Sequence, residues 1–226
     1  MTDLNTSTEA TITTETAIGF IPCYTQPIDV IYLESFVETF KRIPDNSLDL
    51  IITDPPYPRE YMWVWEILAK EAKRTLKDGA SLITLLGHYQ LLEVGNILSK
   101  ELRYWWIGSL SGNRSNRIFG KNVITKHKPI LWFLKGKRGK TKYVPIDHIH
   151  TNPENWDKTF HKWQQPVDYF EMYIKNLTNK NDVVYDPFMG AGTTAFVCKL
   201  NNRRYIGSEN DEKSFTKCTE RLFGCV

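Results

Sequence analysis

A glycine-containing turn close to the end of the chain constrains the fold more than any other feature. Residues 186–194 read Asp-Pro-Phe-Met-Gly-Ala-Gly-Thr-Thr and follow the apolar run Val183–Tyr185, as expected for a strand that leads into a ligand-binding turn and a helix. Only 34 residues follow Gly192, enough for one more strand and one more helix. The rest of the sheet must come from earlier in the chain, so the order of elements is circularly permuted.

Strand-like and helix-like segments alternate between residues 28 and 222, which predicts an α/β fold with a doubly wound, mostly parallel sheet. Predicted strands cover residues 28–33, 48–53, 80–86, 102–107, 129–134, 183–185 and 204–207, and the fifth of these is expected to run antiparallel to the strand before it. Predicted helices include residues 89–100, 194–200 and 212–222 and a segment with Val167, Phe170, Ile174 and Leu177 at helical spacing. Another helix, with Val64, Ile67, Leu68 and Leu76 on its apolar face, is expected to stop at Asp78-Gly79.

Length and composition limit the domain organisation. We expect residues 28–226 to form a single domain, and residues 1–27 to be a disordered tail, since residues 1–17 hold seven Thr and few large apolar groups. No apolar stretch is long enough to span a bilayer, and the four cysteines lie at no metal-ligand spacing. A cytoplasmic protein without a metal or a membrane partner is therefore expected.

Basic residues are segregated in the middle of the chain. From Leu102 to Ile146 there are eleven Lys or Arg and no Asp or Glu, whereas the remaining 18 basic residues face 26 acidic ones. The segment includes the aromatic residues Trp105, Trp106, Phe119, Trp132, Phe133 and Tyr143. Such a segment indicates nucleic-acid binding, with a solvated basic surface as the alternative. The candidate contacts are Arg114, Arg117, Lys121, Lys126, Lys137 and Arg138, and a mobile basic loop is predicted at residues 111–126.

A second motif ends an earlier predicted strand. Residues 54–57 read Asp-Pro-Pro-Tyr and follow the apolar run 48–53. The carboxylate can accept a hydrogen bond from an amino group, the prolines stiffen the turn and the tyrosine ring can stack on a flat base. Ligands of open α/β sheets bind at the carboxyl ends of the strands, so we expect both motifs at that edge.

The glycine turn also matches a dinucleotide-binding fingerprint, because Gly190-x-Gly192-x-x-Ala195 precedes a helix and Glu209 follows. A nicotinamide enzyme is nevertheless disfavoured, since a conventional dinucleotide domain places this turn at its beginning.

With Asp-Pro-Pro-Tyr first, a basic region next and Asp-Pro-Phe-x-Gly-x-Gly-Thr-Thr last, the chain resembles the permuted, β-class DNA amino-methyltransferases, a family of N6-adenine and N4-cytosine methylases. The resemblance covers residues 28–222, including 129–136 and 203–209. It implies a Rossmann-like class I methyltransferase fold, S-adenosylmethionine as cofactor, and double-stranded DNA with a flipped base as substrate.

The resemblance also assigns roles to residues. The implied catalytic residues are Asp54, Pro55, Pro56 and Tyr57. The implied cofactor-binding residues are Asp186, Pro187, Phe188, Gly190, Gly192, Thr193, Thr194 and Glu209. Asp54 and the Pro55 carbonyl would hold the amine, and a side chain at Gly192 would fill space that the cofactor needs. Adenine is favoured over cytosine, because the amino-cytosine enzymes more often carry serine at the position of Asp54.

Some positions depart from the family pattern. Gln165 replaces the usual lysine in the stretch 161–166, and Glu34-Ser35 replaces a Gly-Asp pair. The recognition region 137–161 is short, so a brief target site, dimeric recognition or little specificity stay open, as does a cognate restriction nuclease. Three alternatives remain: N4-cytosine methylation, RNA adenine methylation and a non-catalytic nucleic-acid-binding subunit. Carbon-5 cytosine methylation through Cys23 is disfavoured, because Cys23 precedes the first predicted strand.

Overall fold

The computed structural model describes residues 28–118, 120–139, 144–151 and 167–224, with the backbone alone at residues 113 and 114. The strands are β1 (Val30–Leu33), β2 (Leu48–Thr53), β3 (Leu76–Leu85), β4 (Arg103–Ile118), β5 (Val123–Leu134), β6 (His148–Thr151), β7 (Val183–Asp186) and β8 (Arg204–Glu209). The helices are α1 (Phe36–Arg42), α2 (Met62–Thr75), α3 (Leu91–Ser99), α4 (Val167–Leu177), α5 (Thr193–Leu200) and α6 (Glu212–Phe223). The expected tail, Cys23 and the stretch 161–166 lie outside the described residues.

The strands form one sheet in the order β1-β8-β7-β2-β3-β5-β4-β6. Within the described residues β5 runs antiparallel to β3 and β4, and the other strand pairs are parallel. The last strands of the chain, β7 and β8, lie between β1 and β2, which is the consequence of a glycine turn late in the sequence. The predicted permuted, mostly parallel α/β sheet is confirmed.

Helices cover both faces of the sheet because the strand residues alternate between two apolar layers. Leu48, Ile51 and Leu82 pack with α1, α2 and α3 on one face. Leu50 and Ile83 pack with α4, α5 and α6 on the other. The two layers leave the carboxyl ends of β2 and β7 side by side at one edge, where the candidate site lies.

The predicted end of α2 is wrong. Leu76 was expected on the apolar face of the helix, but it begins β3, pairs with Leu48 of β2 and is fully buried. The backbone of residues 46–47 donates to the carbonyls of Arg74 and Thr75, so strand pairing starts directly where the helix stops. Gly79, expected after a helix, lies inside β3 with a φ of 81°.

The mobile loop predicted at residues 111–126 is also wrong, because most of it belongs to a β-hairpin. β4 and β5 pair at Ser111–His127 and again from Asn116–Thr125 to Ile118–Val123, with a bulge in β4 between these two stretches. β3 stops at Leu85, opposite Ile130, so β5 continues to Val123, about 24 Å beyond the end of β3 at ~3.4 Å per residue. We call residues 109–129 the hairpin arm. Its polar composition suggested a loop, but a two-stranded arm with solvent on its faces needs few apolar residues.

A further short strand was not predicted. β6 lies within the proposed recognition region 137–161 and pairs in parallel with β4, from Ser109–His148 to Gly112–Thr151. It widens the base of the hairpin arm. No helix among the described residues is long and apolar enough to cross a membrane.

Candidate active site

The two predicted motifs are adjacent, because the strands that carry them are neighbours in the sheet. β2 pairs with β7 through Leu50–Val184 and Ile51–Tyr185, so Asp186 lies level with Ile52 and Asp54 follows two residues later at the same edge. The Thr53 hydroxyl, at the last position of β2, donates to Asp186 Oδ1 at 2.9 Å. One hydrogen bond therefore joins the Asp-Pro-Pro-Tyr segment to the glycine turn.

At the first motif, Asp54, Tyr57 and Lys128 form a compact polar cluster. The Tyr57 hydroxyl donates to Asp54 Oδ1. Lys128 Nζ, from the hairpin arm, donates to the Tyr57 oxygen at 3.3 Å, lies 3.9 Å from Asp54 Oδ2 and sits 5.2 Å from the centre of the Tyr57 ring. Burial, followed by the Asp54 charge, raises the pKa of Tyr57, so its phenol stays protonated and can donate.

The backbone of this motif is held by the turn after β3. The Gln90 side-chain amide donates to the Tyr57 carbonyl oxygen. Gly87 lets the two segments approach, since a Cβ there would lie 3.0 Å from Gln90 Oε1 and 3.9 Å from Tyr57 Cβ. Pro55 is buried, so the tetrapeptide is fixed on both sides. Sequence reasoning found neither Gln90 nor Lys128, because no motif or spacing distinguishes them.

At the second motif, Asp186 is a fully buried carboxylate surrounded by donors. Oδ1 accepts from Thr53 and, at 3.0 Å, from the Phe188 backbone, while Oδ2 accepts from the Thr194 hydroxyl at 2.5 Å. Burial raises the pKa of Asp186 to about 6, and these hydrogen bonds limit the rise. All the hydrogen bonds come from neutral donors, so a cation at this position would be favoured electrostatically.

Glycine is favoured at the two positions of the turn for different physical reasons. Gly192 has a φ of 77°, and a Cβ there would lie 2.4 Å from Cys218 Sγ of α6. Gly190 has a φ of 54°, and a Cβ there would meet no heavy atom closer than 4.0 Å, at the Phe188 carbonyl oxygen. The nearest obstacle to a side chain at Gly192 is helix α6, and Gly190 is the glycine with open space beside it. A clash between a Gly192 side chain and a ligand stays a prediction.

Other residues of the turn already have protein partners. Thr193 Oγ1 accepts from Arg221 at 2.9 Å, and the Pro187 carbonyl accepts from Ser208 Oγ at 3.0 Å. The Phe188 ring packs against Phe36 with the centroids 4.8 Å apart.

Glu209, at the end of β8, closes the turn. One of its oxygens accepts from the Gly190 backbone and the other from the Asp211 backbone, both at 2.8 Å. Each carboxylate oxygen has a second lone pair, so Glu209 can accept further bonds. Glu34, flagged for its place after β1, is paired with Arg42 at 3.1 Å, and Ser35 caps α1.

The basic candidates do not all lie near this edge. Arg117, Lys121 and Lys126 are exposed on the hairpin arm, whose tip lies beyond the carboxyl end of β3. Lys137 and Arg138 lie near Gly79, at the opposite end of β3, and Arg138 stacks on Trp132 at 4.6 Å. The side chain of Arg114 lies outside the described residues. The structure thus brings three described cations to the site edge and places two away from it.

Residues 102–146, which contain no Asp or Glu, are called the acid-free segment. Two of its aromatic residues belong to the core and not to a binding surface. Trp132 is 6% exposed and Phe133 is fully buried, whereas Trp106 is 52% exposed. Phe119 and Tyr143 lie outside the described residues. A groove of about 680 Å³ along the hairpin arm and β6 is instead lined by polar groups, including Ser111, Lys126, His148 and His150.

Comparison with known proteins agrees with this geometry. A family model described as DNA methylase matches residues 48–220. The chain is 28% identical to the type II methyltransferase M.HinfI of Haemophilus influenzae over 82% of this chain and 66% of that protein. It is 29% identical to M.BglII of Bacillus subtilis over 83% of this chain and 67% of that protein. The chain therefore spans about two thirds of the length of these relatives.

Solved structures show the same fold. The M1.HpyAVI–SAM complex superposes with a TM-score of 0.71 at 25% identity, covering 85% of this chain and 98% of that one. The PvuII cytosine-N4-specific DNA methyltransferase superposes with a TM-score of 0.75 at 17% identity, covering 85% and 86%. Since the family model spans well over half of the sequence, the chain belongs to the family of N6 and N4 DNA methylases.

Proposed function

We propose that this protein transfers a methyl group from S-adenosylmethionine to the exocyclic amine of adenine in double-stranded DNA. The observation that carries the proposal is the hydrogen bond between Thr53 and Asp186, which joins the Asp-Pro-Pro-Tyr segment to the glycine turn on adjacent strands at one edge. A donor and an acceptor bound at these two positions would meet without any movement of the sheet.

The residues of the second motif fit S-adenosylmethionine, which supplies an electrophilic methyl group on a sulfonium. Asp186 is a buried carboxylate suited to an ammonium group, and the open side of Gly190 allows close approach of a ligand to the backbone. Glu209 can accept from ribose hydroxyls with its remaining lone pairs. Thr193 and Thr194 support the turn through Arg221 and Asp186, so their contribution to cofactor binding is indirect.

The residues of the first motif suit the acceptor. An aromatic amine is a weak nucleophile because its lone pair is delocalised into the ring. Asp54 and the Pro55 carbonyl would accept its two N–H bonds and direct the lone pair towards the methyl carbon. The new N–C bond would form as the C–S bond of the donor breaks and S-adenosylhomocysteine leaves, and the amine would then lose one proton to Asp54 or to solvent. Catalysis is positioning and electrostatics, with no covalent intermediate on the protein.

Tyr57 would stack on the target base, which must leave the duplex to reach Asp54. Lys128 now lies by the Tyr57 ring and near the Asp54 carboxylate, where it offsets part of the negative charge. A base that takes these contacts displaces the lysine ammonium, and a DNA phosphate near the hairpin arm is a suitable new partner. Arg117, Lys121 and Lys126 are proposed to bind the DNA backbone along the same arm, together with Arg114.

Adenine is proposed over cytosine because of the carboxylate at position 54. The test is to methylate DNA with labelled cofactor, digest it to nucleosides and identify the labelled one by mass spectrometry. Label in N6-methyl-2′-deoxyadenosine supports the proposal. Label in N4-methylcytosine overturns the base assignment and leaves the amine chemistry intact, whereas label in carbon-5-methylcytosine overturns both.

The alternatives make different predictions in the same assay. An RNA adenine methylase would transfer label to RNA in preference to DNA when both compete for the enzyme. A non-catalytic nucleic-acid-binding subunit would transfer none. Neither a homodimer nor a partner nuclease is needed for the chemistry proposed here, and sequencing DNA methylated in cells would identify the target site.

A further inference from the structure

Tyr169 is a buried polar residue that the proposed mechanism does not use. It lies in the first turns of α4, its side chain is fully buried, and its hydroxyl has no hydrogen-bond partner within the part of the chain that the structure describes. A buried hydroxyl that bonds to nothing is costly, and most buried polar groups in proteins are paired. An unpaired hydroxyl beside a ligand site is explained if the ligand is its partner.

Tyr169 packs in the apolar layer that also holds Ile52 of β2 and Ala195 of α5, so it lies beside the two elements that flank the motifs. Its ring packs edge-on against Phe170 and Tyr173, with centroids 4.8 and 5.4 Å away. Burial raises the pKa of Tyr169, and the neighbouring Tyr173, Asp54 and Asp186 raise it further, so the phenol is neutral and feels the field of both site carboxylates. The Tyr169 hydroxyl is within electrostatic reach of Asp54 and Asp186 but hydrogen-bonds to neither.

Two other buried tyrosines do not combine an unpaired hydroxyl with the electrostatic influence of a site carboxylate. The Tyr185 hydroxyl is paired with Ser208 Oγ at 2.9 Å. Tyr173 lies one turn further along α4 and is equally buried, but the charge that raises its pKa after burial is Asp147, not a carboxylate of the site. Tyr173 is therefore a matched control for Tyr169: the same residue type, on the same helix and in the same aromatic cluster.

We propose that the Tyr169 hydroxyl binds the methionine moiety of S-adenosylmethionine. This inference rests on the proposed function, because it takes the cofactor as the ligand of the glycine turn. An ammonium group beside Asp186 has three N–H donors; one can serve the Asp186 carboxylate and another the phenol oxygen of Tyr169. The hydroxyl then gains a partner on binding, and Tyr169 is a cofactor-binding residue contributed by α4, outside both motifs.

The test compares Tyr169→Phe with Tyr173→Phe by calorimetric titration of three ligands. S-adenosylmethionine and S-adenosylhomocysteine carry the amino-acid moiety, whereas 5′-methylthioadenosine lacks it. Tyr169→Phe should weaken binding of the first two by about three- to tenfold and leave the third unchanged, which corresponds to the loss of one hydrogen bond. Tyr173→Phe should bind all three ligands as the wild type does.

Thermal unfolding of the ligand-free variants supplies an independent readout. Because Tyr169→Phe removes an unpaired hydroxyl, its melting temperature without ligand should equal or exceed that of the wild type. Greater stability together with weaker cofactor binding would not arise from general structural damage.

Several results would overturn the inference. Unchanged affinity for S-adenosylhomocysteine in Tyr169→Phe would show that the hydroxyl does not bind the methionine moiety, and equal weakening of 5′-methylthioadenosine would place the effect elsewhere in the pocket. A wild-type protein that binds none of the ligands would overturn the inference and the proposed function together. Normal binding without methyl transfer to DNA would overturn only the proposed function.

Discussion

Gly192 gives the most detailed test of how the glycine turn is built. Its left-handed φ of 77° would cost alanine about 1–2 kcal/mol. A Cβ would also lie 2.4 Å from Cys218 Sγ, and relieving that overlap in a packed core costs about 1–3 kcal/mol more. We therefore expect Gly192→Ala to lower the free energy of unfolding by about 2–5 kcal/mol.

Cys218→Ala separates the two contributions, because it removes the sulfur and leaves contacts of 3.4 and 3.5 Å to Cys218 Cβ and Cα. Urea unfolding of the wild type, both single variants and the double variant should show a coupling of about 1–3 kcal/mol that favours the double variant. Gly190→Ala is the control, since it has a positive φ without the close contact, and should cost about 1–2 kcal/mol. Additive effects in the cycle, or equal costs at Gly190 and Gly192, would refute this account of the turn.

Two further predictions concern pH and charge. Burial raises the pKa of Asp186 to about 6, above the ordinary value of about 3.9, so the contribution of Asp186 to stability is present below pH 4 and is lost as the pH rises through 6. Urea titrations of the ligand-free protein should therefore show a loss of up to about 3 kcal/mol over this range, relative to Asp186→Asn. Since an ammonium ligand needs the ionised carboxylate, the affinity for S-adenosylmethionine should fall below pH 6, and binding there should release protons. Calorimetry in buffers of different ionisation enthalpy measures both effects, and a pH-independent affinity would contradict the role of Asp186. Replacing Arg117, Lys121 and Lys126 with Gln should reduce the slope of log DNA affinity against log salt concentration by about three units. The same change at Lys41, Lys73 and Lys180, at the opposite edge of the sheet, should leave the slope unchanged, and equal slopes in both triple variants would place the DNA elsewhere.

The sequence predicts the elements that depend on apolar periodicity and on turn chemistry. The strands that end at Asp54 and Asp186 and their shared edge follow from two apolar runs, each ending in a rigid or glycine-rich turn. The late position of Gly192 predicts the permuted order, because so little chain remains after it. These features are local, or follow from topology rules that hold for parallel sheets in general.

Contacts that depend on long-range packing could not be predicted. Lys128 reaches Tyr57 across 71 positions of sequence, and only the antiparallel return of β5 brings them together. The hairpin arm is polar on its exposed surfaces, so its composition resembles that of a loop although its backbone is paired. Trp132 lies in the acid-free segment, yet it points into the core, which composition cannot distinguish from an exposed stacking residue.

The central claim is that Asp54 acts on the acceptor amine and that the glycine turn holds the methyl donor. Single-turnover transfer of labelled methyl groups to DNA by wild type and Asp54→Ala, with cofactor affinity measured on the same samples, tests it most directly. The account predicts unchanged S-adenosylmethionine affinity and a transfer rate lower by about 100-fold or more, as for loss of one preorganised catalytic hydrogen bond. Weakened cofactor binding with an unchanged transfer rate would contradict it.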